Sequence, residues 1–356
     1  MKGRLGNMLK NGGLFLLLLA LTIYMVLKDN SLSQLSVAVR GADIRFLLLS
    51  AGAMGIFLLC EGINITRCLG LLSGTAEEKV TLGRGVKYAL VGFFFSSVTP
   101  SASGGQPMQL YFMHRDGIQA ARGTLALLFE LLSFQIVTIG LALLGYFYQR
   151  HTLEASMGNL QYLLLAGVTL NVIVMVILIC AVFSKKMVEK LMGFAVKVVE
   201  IFSREKSQLL FEKMKGQIVE YQNCAVYLKQ NKAIFGKTLG TTLIQLLSMY
   251  AVPFFVYKSF GLSHYTAPEV MALQAVLYVA VSALPLPGAL GVSESAFMIL
   301  FKRLFSAGLL PSAMLLSRGI SFYLFVLISG ISAAVFMVKK GERKETVILP
   351  YKNGVL

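Results

Sequence analysis

An uninterrupted run of apolar and uncharged residues, Leu160–Phe183, constrains this chain more than any other feature. A helix needs about 20 apolar residues to cross the hydrocarbon of a bilayer, and this run is long enough to do so. The composition agrees, because 56% of the residues are hydrophobic and only 14% are charged. Soluble domains keep roughly a quarter of their residues charged. The chain is therefore predicted to be an all-α polytopic membrane protein rather than a soluble enzyme, a secreted disulfide scaffold or a disordered tail.

About six full transmembrane helices are predicted from the apolar runs. The first of them follows three positive charges and resembles a signal peptide, but no small-residue cleavage site follows it, so we expect it to remain in the protein. We expect residues 1–356 to form a single integral membrane domain. The predicted spans are 11–28, 44–66, 122–148, 160–183, 236–257 and 311–338.

Two other apolar regions are interrupted by dense clusters of proline and glycine. Region 85–113 breaks at TPSASGGQP (99–107), and region 269–303 breaks at LPLPGALG (284–291). Such clusters cannot continue a helix. Irregular backbone at membrane depth persists only where it is buried in protein or lines a wet cavity. Both regions are therefore predicted to be re-entrant helical hairpins.

The distribution of positive charge predicts the orientation of these elements. With a cytoplasmic N-terminus, 25 of the 33 Lys and Arg residues fall on the cytoplasmic side and 7 on the other side. This asymmetry favours cytoplasmic N- and C-termini. The two hairpins then enter from opposite sides, which is typical of an inverted repeat with its substrate site where the two breaks meet.

The only sizeable polar segment is 184–237, where eleven Lys and Arg residues cover the polar faces of two amphipathic stripes. Two interpretations stay open. The segment forms surface helices against the lipid headgroups, or it docks a cytosolic partner. It is too small to be a catalytic domain.

Ionisable side chains within apolar runs are candidate functional residues, because an unpaired charge at membrane depth is costly. Four stand out, namely Glu61, Glu130, Glu294 and Arg318. Each either forms an ion pair, as Glu294 could with Arg318, or contacts a ligand or a transported proton.

The two breaks are the second source of candidate binding residues. Free amides and small hydroxyls at a helix terminus favour an anionic group such as a phosphodiester, and the second break could also suit an attached amine. The alternative is that proline and glycine only shape tightly packed hairpin tips. The predicted headgroup-binding residues near the breaks are Ser97, Thr99, Ser101, Ser103, Gly104, Gly105, Gln106, Gln109, Arg115, Pro285, Pro287, Gly288, Gly291, Ser293 and Glu294.

Other chemistries find little support in the sequence. Gly236-Lys237-Thr238 lacks the earlier glycine and the preceding strand of a phosphate-binding P-loop. The three histidines lie in separate loops, and the four cysteines lack metal or disulfide spacing. We therefore expect no metal, no cofactor and no nucleic-acid partner.

The motifs FFFSSVTPSASGGQPMQLYFMHRDG (93–117) and LPLPGALGVSESAF (284–297) resemble the transmembrane family of lysylphosphatidylglycerol synthase/flippases, the multiple peptide resistance factors. The resemblance implies a bacterial inner-membrane protein that moves aminoacylated phosphatidylglycerol between leaflets. In that family a separate cytosolic domain makes the lipid. Residues 339–356 are too few for such a domain, so we expect no intrinsic transferase activity. The residues that match the family are Pro100, Ser101, Gly104, Gly105, Gln106, Arg115, Glu130, Pro285, Pro287, Gly288, Gly291, Glu294 and Arg318.

The leading hypothesis is thus a phospholipid translocase, or flippase, for lysylphosphatidylglycerol or a related lipid. Two alternatives stay open. One is a secondary transporter of a small solute, and the other is a membrane subunit that positions a lysyltransferase through segment 184–237. The expected partners are membrane phospholipids, a separate lipid-modifying enzyme and a second copy of the chain.

Overall fold

The computed structural model describes residues 39–72, 80–150, 153, 160–183, 221, 225–226, 230–282, 284, 286–289 and 291–338. Within these residues the chain is helical and contains no strand, which confirms the predicted all-α class. The helices are α1 (Ile44–Leu72), α2 (Leu82–Val98), α3 (Gly105–Arg115), α4 (Ala120–Tyr148), α5 (Leu160–Phe183), α6 (Lys232–Tyr250), α7 (Val252–Ser259), α8 (Ala267–Ser282), α9 (Val292–Leu300), α10 (Leu310–Arg318) and α11 (Phe325–Val338).

Five stretches are long and apolar enough to cross a membrane, so the chain is a polytopic membrane protein. They are Ile44–Leu72, Ala120–Tyr148, Gln161–Val182, Lys232–Ser259 and Leu310–Val338. They correspond to the last five predicted spans. The first predicted span (11–28) and most of segment 184–237 lie outside the described residues.

Two of these spans are not continuous α-helices. The fourth is interrupted at Ala251 between α6 and α7, where Pro253 occupies the first turn of α7. The fifth joins α10 to α11 through a π-helical turn, Gly319–Leu324. Proline and π-helical turns commonly interrupt long helices, and π turns are frequent at functional sites.

Both predicted hairpins are present as pairs of short helices that fold back on themselves. The first hairpin comprises α2, a turn at Pro100–Ala102 and α3, and the second comprises α8, a turn at Pro287–Ala289 and α9. Gly105 lets α2 and α3 pack closely, because a Cβ atom there would lie 3.0 Å from the carbonyl oxygen of Gly92. The Pro- and Gly-rich breaks therefore mark reversals of the chain, as predicted.

Hydrogen bonds between helices identify the two ends of the bundle. At one end Arg67 of α1 donates to the carbonyl of Lys237 of α6 at 2.9 Å, and Arg115 of α3 donates to the carbonyl of Phe336 of α11 at 2.6 Å. We call this the Asp116 end, after the residue that follows α3. The first hairpin begins and ends here.

The opposite end is named the Asp43 end. There the amide of Asp43 donates to the carbonyl of Ser259, the last residue of α7, at 2.7 Å. Tyr265, just before α8, donates through its hydroxyl to the carbonyl of Arg303, just after α9, at 3.2 Å. The second hairpin begins and ends at this end. The two hairpins therefore enter the bundle from opposite ends, as predicted.

Each hairpin is surrounded by its own apolar core. Tyr88, Phe94 and Phe112 of the first hairpin are fully buried against neighbouring helices. Phe297 of α9 and Phe301, the residue that follows α9, are buried in the second core and stack with their ring centroids 4.0 Å apart. Packing on this scale satisfies the requirement that irregular backbone at membrane depth be enclosed by protein.

A charged cluster closes the base of the first hairpin. The Oδ2 atom of Asp116 accepts hydrogen bonds from Lys87 Nζ at 2.6 Å and from the Tyr88 hydroxyl at 2.9 Å. The Asp116 side chain is 8% exposed, so water replaces these bonds poorly if they are lost. This cluster ties the start of α2 to the end of α3.

Replacing Asp116 by alanine is expected to lower the free energy of unfolding by about 2 kcal/mol, because it leaves Lys87 without its carboxylate. Asp116→Asn keeps an acceptor for Tyr88 and is expected to lose less. Thermal unfolding of the purified variants in detergent measures this order. Two variants that melt like the wild type would contradict a stabilising role for the cluster.

Candidate functional site

The tips of the two hairpins meet inside the bundle. The Pro100–Ala102 turn lies against the Pro287–Ala289 turn. Among the described tip residues, three other than glycine have a positive φ, Ser101 at 51°, Ala102 at 54° and Ala289 at 50°. Such backbone is strained, and strain of this kind concentrates at functional sites.

A cavity of about 410 Å³ adjoins the tips and reaches into the bundle. Its wall combines carboxyl, amide and hydroxyl groups with a set of aromatic rings. Nine of the predicted headgroup-binding residues line it. They are Glu61, Ser97, Ser101, Gln106, Gln109, Glu130, Gly288, Ser293 and Arg318.

Other predicted residues shape the hairpins instead of lining the cavity. Thr99 closes the first tip, because its hydroxyl donates to the carbonyl of Phe95 at 2.6 Å and accepts from the amide of Gly104 at 2.8 Å. Gly104 and Gly105 permit the close approach of α3 to α2. Ser103 and Pro287 are in the turns but do not line the cavity, and Pro285 lies outside the described residues.

Arg115 also lies away from the cavity, at the Asp116 end. Its guanidinium donates to the carbonyl of Phe336 at 2.6 Å and stands 4.4 Å from the centre of the Phe112 ring. Because α3 has eleven residues, its last residue is about 15 Å from its first along the helix axis. The position of Arg115 is therefore a consequence of helix length.

Arg318 and Glu294 form an ion pair at the edge of the cavity. Arg318 Nε donates to Glu294 Oε1 at 2.9 Å, and Arg318 Nη2 donates to the carbonyl of Gly288 at 2.8 Å. The other carboxylate oxygen of Glu294 accepts from the amide of Gly291 at 2.6 Å and so caps α9. Of the two interpretations that the sequence left open for these residues, ion pairing applies to Arg318 and Glu294. The ion pair connects α10 to the second hairpin.

Glu61 and Glu130 differ from Glu294, because no Lys or Arg in the described part of the chain forms an ion pair with either. Both line the cavity, from α1 and α4 respectively. Glu61 Oε1 accepts a hydrogen bond from Gln109 Nε2 at 3.1 Å, and Gln109 also donates to the carbonyl of Tyr88 at 3.2 Å. The first hairpin thus holds one carboxylate of the cavity in place.

Several polar residues of the cavity wall were missed by the sequence-based prediction. Gln135 of α4 donates to the side-chain oxygen of Asn171 of α5 at 2.8 Å, and Asn171 donates to the hydroxyl of Ser282 of α8 at 2.6 Å. Gln245 of α6 and Ser317 of α10 line the same cavity. The sequence offered one signal for such residues, a single amide side chain within an apolar run, as at Asn171.

Aromatic side chains form much of the remaining wall. Tyr278 and Phe134 pack edge to face with ring centroids 6.4 Å apart, and Phe57, Phe93 and Phe322 also line the cavity. A cavity with both polar and aromatic walls can accept a charged group that is attached to an apolar body.

Comparison with known proteins places the chain in a family. The sequence profile of the lysylphosphatidylglycerol synthase TM region matches residues 12–329. No curated protein matches the chain significantly. The family is named after a membrane lipid, so a lipid-related function at the membrane is indicated. Since the match covers most of the chain and includes both hairpins, the protein belongs to the lysylphosphatidylglycerol synthase TM-region family.

Proposed function

We propose that this protein translocates an aminoacylated phosphatidylglycerol, such as lysylphosphatidylglycerol, or a related lipid across the bacterial cell membrane. The observation that carries the proposal is the polar cavity where two oppositely inserted hairpins meet. Moving a charged headgroup through bare hydrocarbon costs several kcal/mol. Carboxyl, amide and hydroxyl groups within the bundle offset that cost while the acyl chains stay in the bilayer.

We also propose an orientation in the membrane. The Asp116 end would face the cytoplasm together with both termini, because the connections predicted on that side carry most of the positive charge. Membrane phospholipids would be the partners of the cavity. A separate lipid-modifying enzyme, docked through segment 184–237, would supply the aminoacylated lipid, and a second copy of the chain would pair with the first.

Translocation can be measured in vesicles that contain lysylphosphatidylglycerol and the purified protein. A membrane-impermeant amine-reactive dye labels only the outer leaflet of protein-free vesicles. If the protein translocates the lipid, labelling continues until the inner-leaflet amines are also consumed. Labelling that stops at the outer leaflet in vesicles with folded protein would contradict the proposal.

Gln106→Ala is expected to slow this labelling about tenfold, because it removes one hydrogen-bonding group worth about 1.4 kcal/mol from the cavity wall. Gln106 is half-buried on α3 beside the first tip. Gln161→Ala is the matched control, since Gln161 is exposed on α5 and does not line the cavity. Equal rates for the two variants would remove Gln106 from the translocation route.

A further inference from the structure

The cavity wall carries more acidic than basic side chains. Among the described residues, the acidic and basic side chains on this wall are those of Glu61, Glu130 and Arg318. The charge of Arg318 is compensated by Glu294 at 2.9 Å, and its guanidinium also serves the Gly288 carbonyl. The two remaining carboxylates have no such compensation. This balance favours a positively charged occupant over a phosphate.

The Glu61 and Glu130 side chains are close enough to interact electrostatically, so they belong to one corner of the cavity. Glu61 is on α1 and Glu130 on α4, and both helices pack against each other and against α6, which contributes Gln245 to the same wall. Gln109 engages one oxygen of Glu61, and no hydrogen bond in the described part of the chain engages its Oε2 or either oxygen of Glu130. These acceptor atoms are available to a ligand with N–H donors.

Gln245 gives an independent indication that this corner accommodates a polar ligand. Its side chain is fully buried, yet neither Nε2 nor Oε1 has a hydrogen-bond partner among the residues that the structure describes. A buried amide left without partners costs about 1–3 kcal/mol, so such groups call for an explanation. A ligand that accepts or donates hydrogen bonds beside the two carboxylates would provide it.

The aromatic wall of the same cavity supports a cationic ligand. Tyr278 and Phe134 line it, and Tyr278 also packs against Tyr250, with centroids 5.8 Å apart. Aromatic ring faces attract ammonium groups, and the attraction grows where water is excluded. Carboxylates combined with aromatic rings are therefore a suitable environment for an amine.

We propose that Glu61, Glu130 and Gln245 form an ammonium-binding subsite that selects a lipid by the amino groups of its headgroup rather than by its phosphate. This inference rests on the proposed function. A lysyl headgroup carries two ammonium groups, each with N–H donors, and the subsite offers two carboxylates. Unmodified phosphatidylglycerol carries only the phosphate, which the same carboxylates repel.

The experiment measures binding, without transport, by thermal unfolding of the full-length protein in detergent with added lipid. Lysylphosphatidylglycerol is expected to stabilise the wild type at concentrations at least tenfold lower than phosphatidylglycerol. Glu61→Gln and Glu130→Gln should each weaken the effect of lysylphosphatidylglycerol about tenfold and leave that of phosphatidylglycerol unchanged. Sodium chloride is the third arm, because a free cation could occupy the same carboxylates.

Glu269→Gln is the matched control. Glu269 is exposed at the start of α8, and hydrogen bonds from the Thr266 amide and hydroxyl, each 2.7 Å, lower the pKa of its carboxyl. Glutamine at this position keeps an acceptor for Thr266. The control should therefore retain the full preference for lysylphosphatidylglycerol.

Three results would overturn the subsite. They are equal stabilisation of the wild type by the two lipids, an undiminished preference in both glutamine variants, and displacement of lysylphosphatidylglycerol by sodium at equal concentration. Melting without lipid shows whether each variant is folded, and the wild-type comparison holds even if one variant is not. Selective binding without translocation in vesicles would contradict the proposed function alone, so the two failures are distinguishable.

Discussion

Gly167→Val is expected to lower the free energy of unfolding by about 3 kcal/mol and to abolish lipid translocation. Gly167 lies on α5 against the backbone of α8. A Cβ atom there would lie 2.9 Å from the carbonyl carbon of Val279 and 3.1 Å from the Cα of Ala280. Backbone atoms cannot rotate away as a side chain can, so α5 and α8 must separate. That movement displaces the long arm of the second hairpin, together with Tyr278.

Thermal unfolding and the vesicle assay measure both effects. Gly140→Val is the matched control, because Gly140 lies in α4 with no atom within 4 Å of an added Cβ. Gly140→Val also places a β-branched residue in a helix, with the same cost in helix propensity, but it creates no contact with a neighbouring helix. If the two variants melt at the same temperature, the close contact between α5 and α8 is not what holds the second hairpin.

Arg318→Met is expected to have the second large effect, a loss of about 3 kcal/mol in stability and at least a tenfold loss in translocation rate. The substitution leaves the Glu294 carboxylate without a cation and the Gly288 carbonyl without a donor. The Arg318 and Glu294 side chains are 16% and 17% exposed, so water compensates only in part. Removing one partner of a buried pair costs about 3–5 kcal/mol, and this exposure places Arg318→Met at the lower end.

A double-mutant cycle separates the ion pair from other effects. Arg318→Met combined with Glu294→Gln should be more stable than Arg318→Met alone, because no charge is then left unpaired. Arg318→Lys should recover part of the stability, since it keeps the charge but loses the planar guanidinium. Additive effects of the two single substitutions would contradict a direct interaction between these side chains.

The sequence was sufficient to predict the class and the main architectural feature. Runs such as Leu160–Phe183 are long enough to span, and the proline and glycine clusters at 99–107 and 284–291 stop the helices where the structure reverses the chain. These are local effects of backbone chemistry, and local effects can be read from a single sequence. The entry of the two hairpins from opposite sides followed from the topology, because an odd number of predicted spans lies between them.

The residues of the cavity wall were predicted less completely, because some of the helices are apolar on all sides. In α5 almost every residue is apolar, so hydrophobic periodicity does not reveal which face meets the protein. Asn171 and Gln245 enter the wall only because α5 and α6 pack against particular neighbours. Arg115 was grouped with the break because it follows closely in sequence, although the length of α3 places it at the Asp116 end.

The partners of a charged residue were equally difficult to predict. Glu61, Glu130 and Glu294 look alike in sequence, as single acidic residues near apolar stretches. In the structure the Glu294 carboxylate accepts hydrogen bonds from Arg318 and from the amide of Gly291. Glu61 and Glu130 instead line the cavity. The difference arises from long-range packing, and it decides which carboxylates remain for a ligand.

The most direct measurement is an electron cryo-microscopy map of the protein in lipid nanodiscs that contain lysylphosphatidylglycerol. We expect density for a headgroup between the hairpin tips, with its amino groups beside Glu61 and Glu130 and its phosphate farther from both. A dry, unoccupied space between the tips in a map that resolves annular lipids, or either hairpin crossing the bilayer as a straight helix, would contradict this expectation.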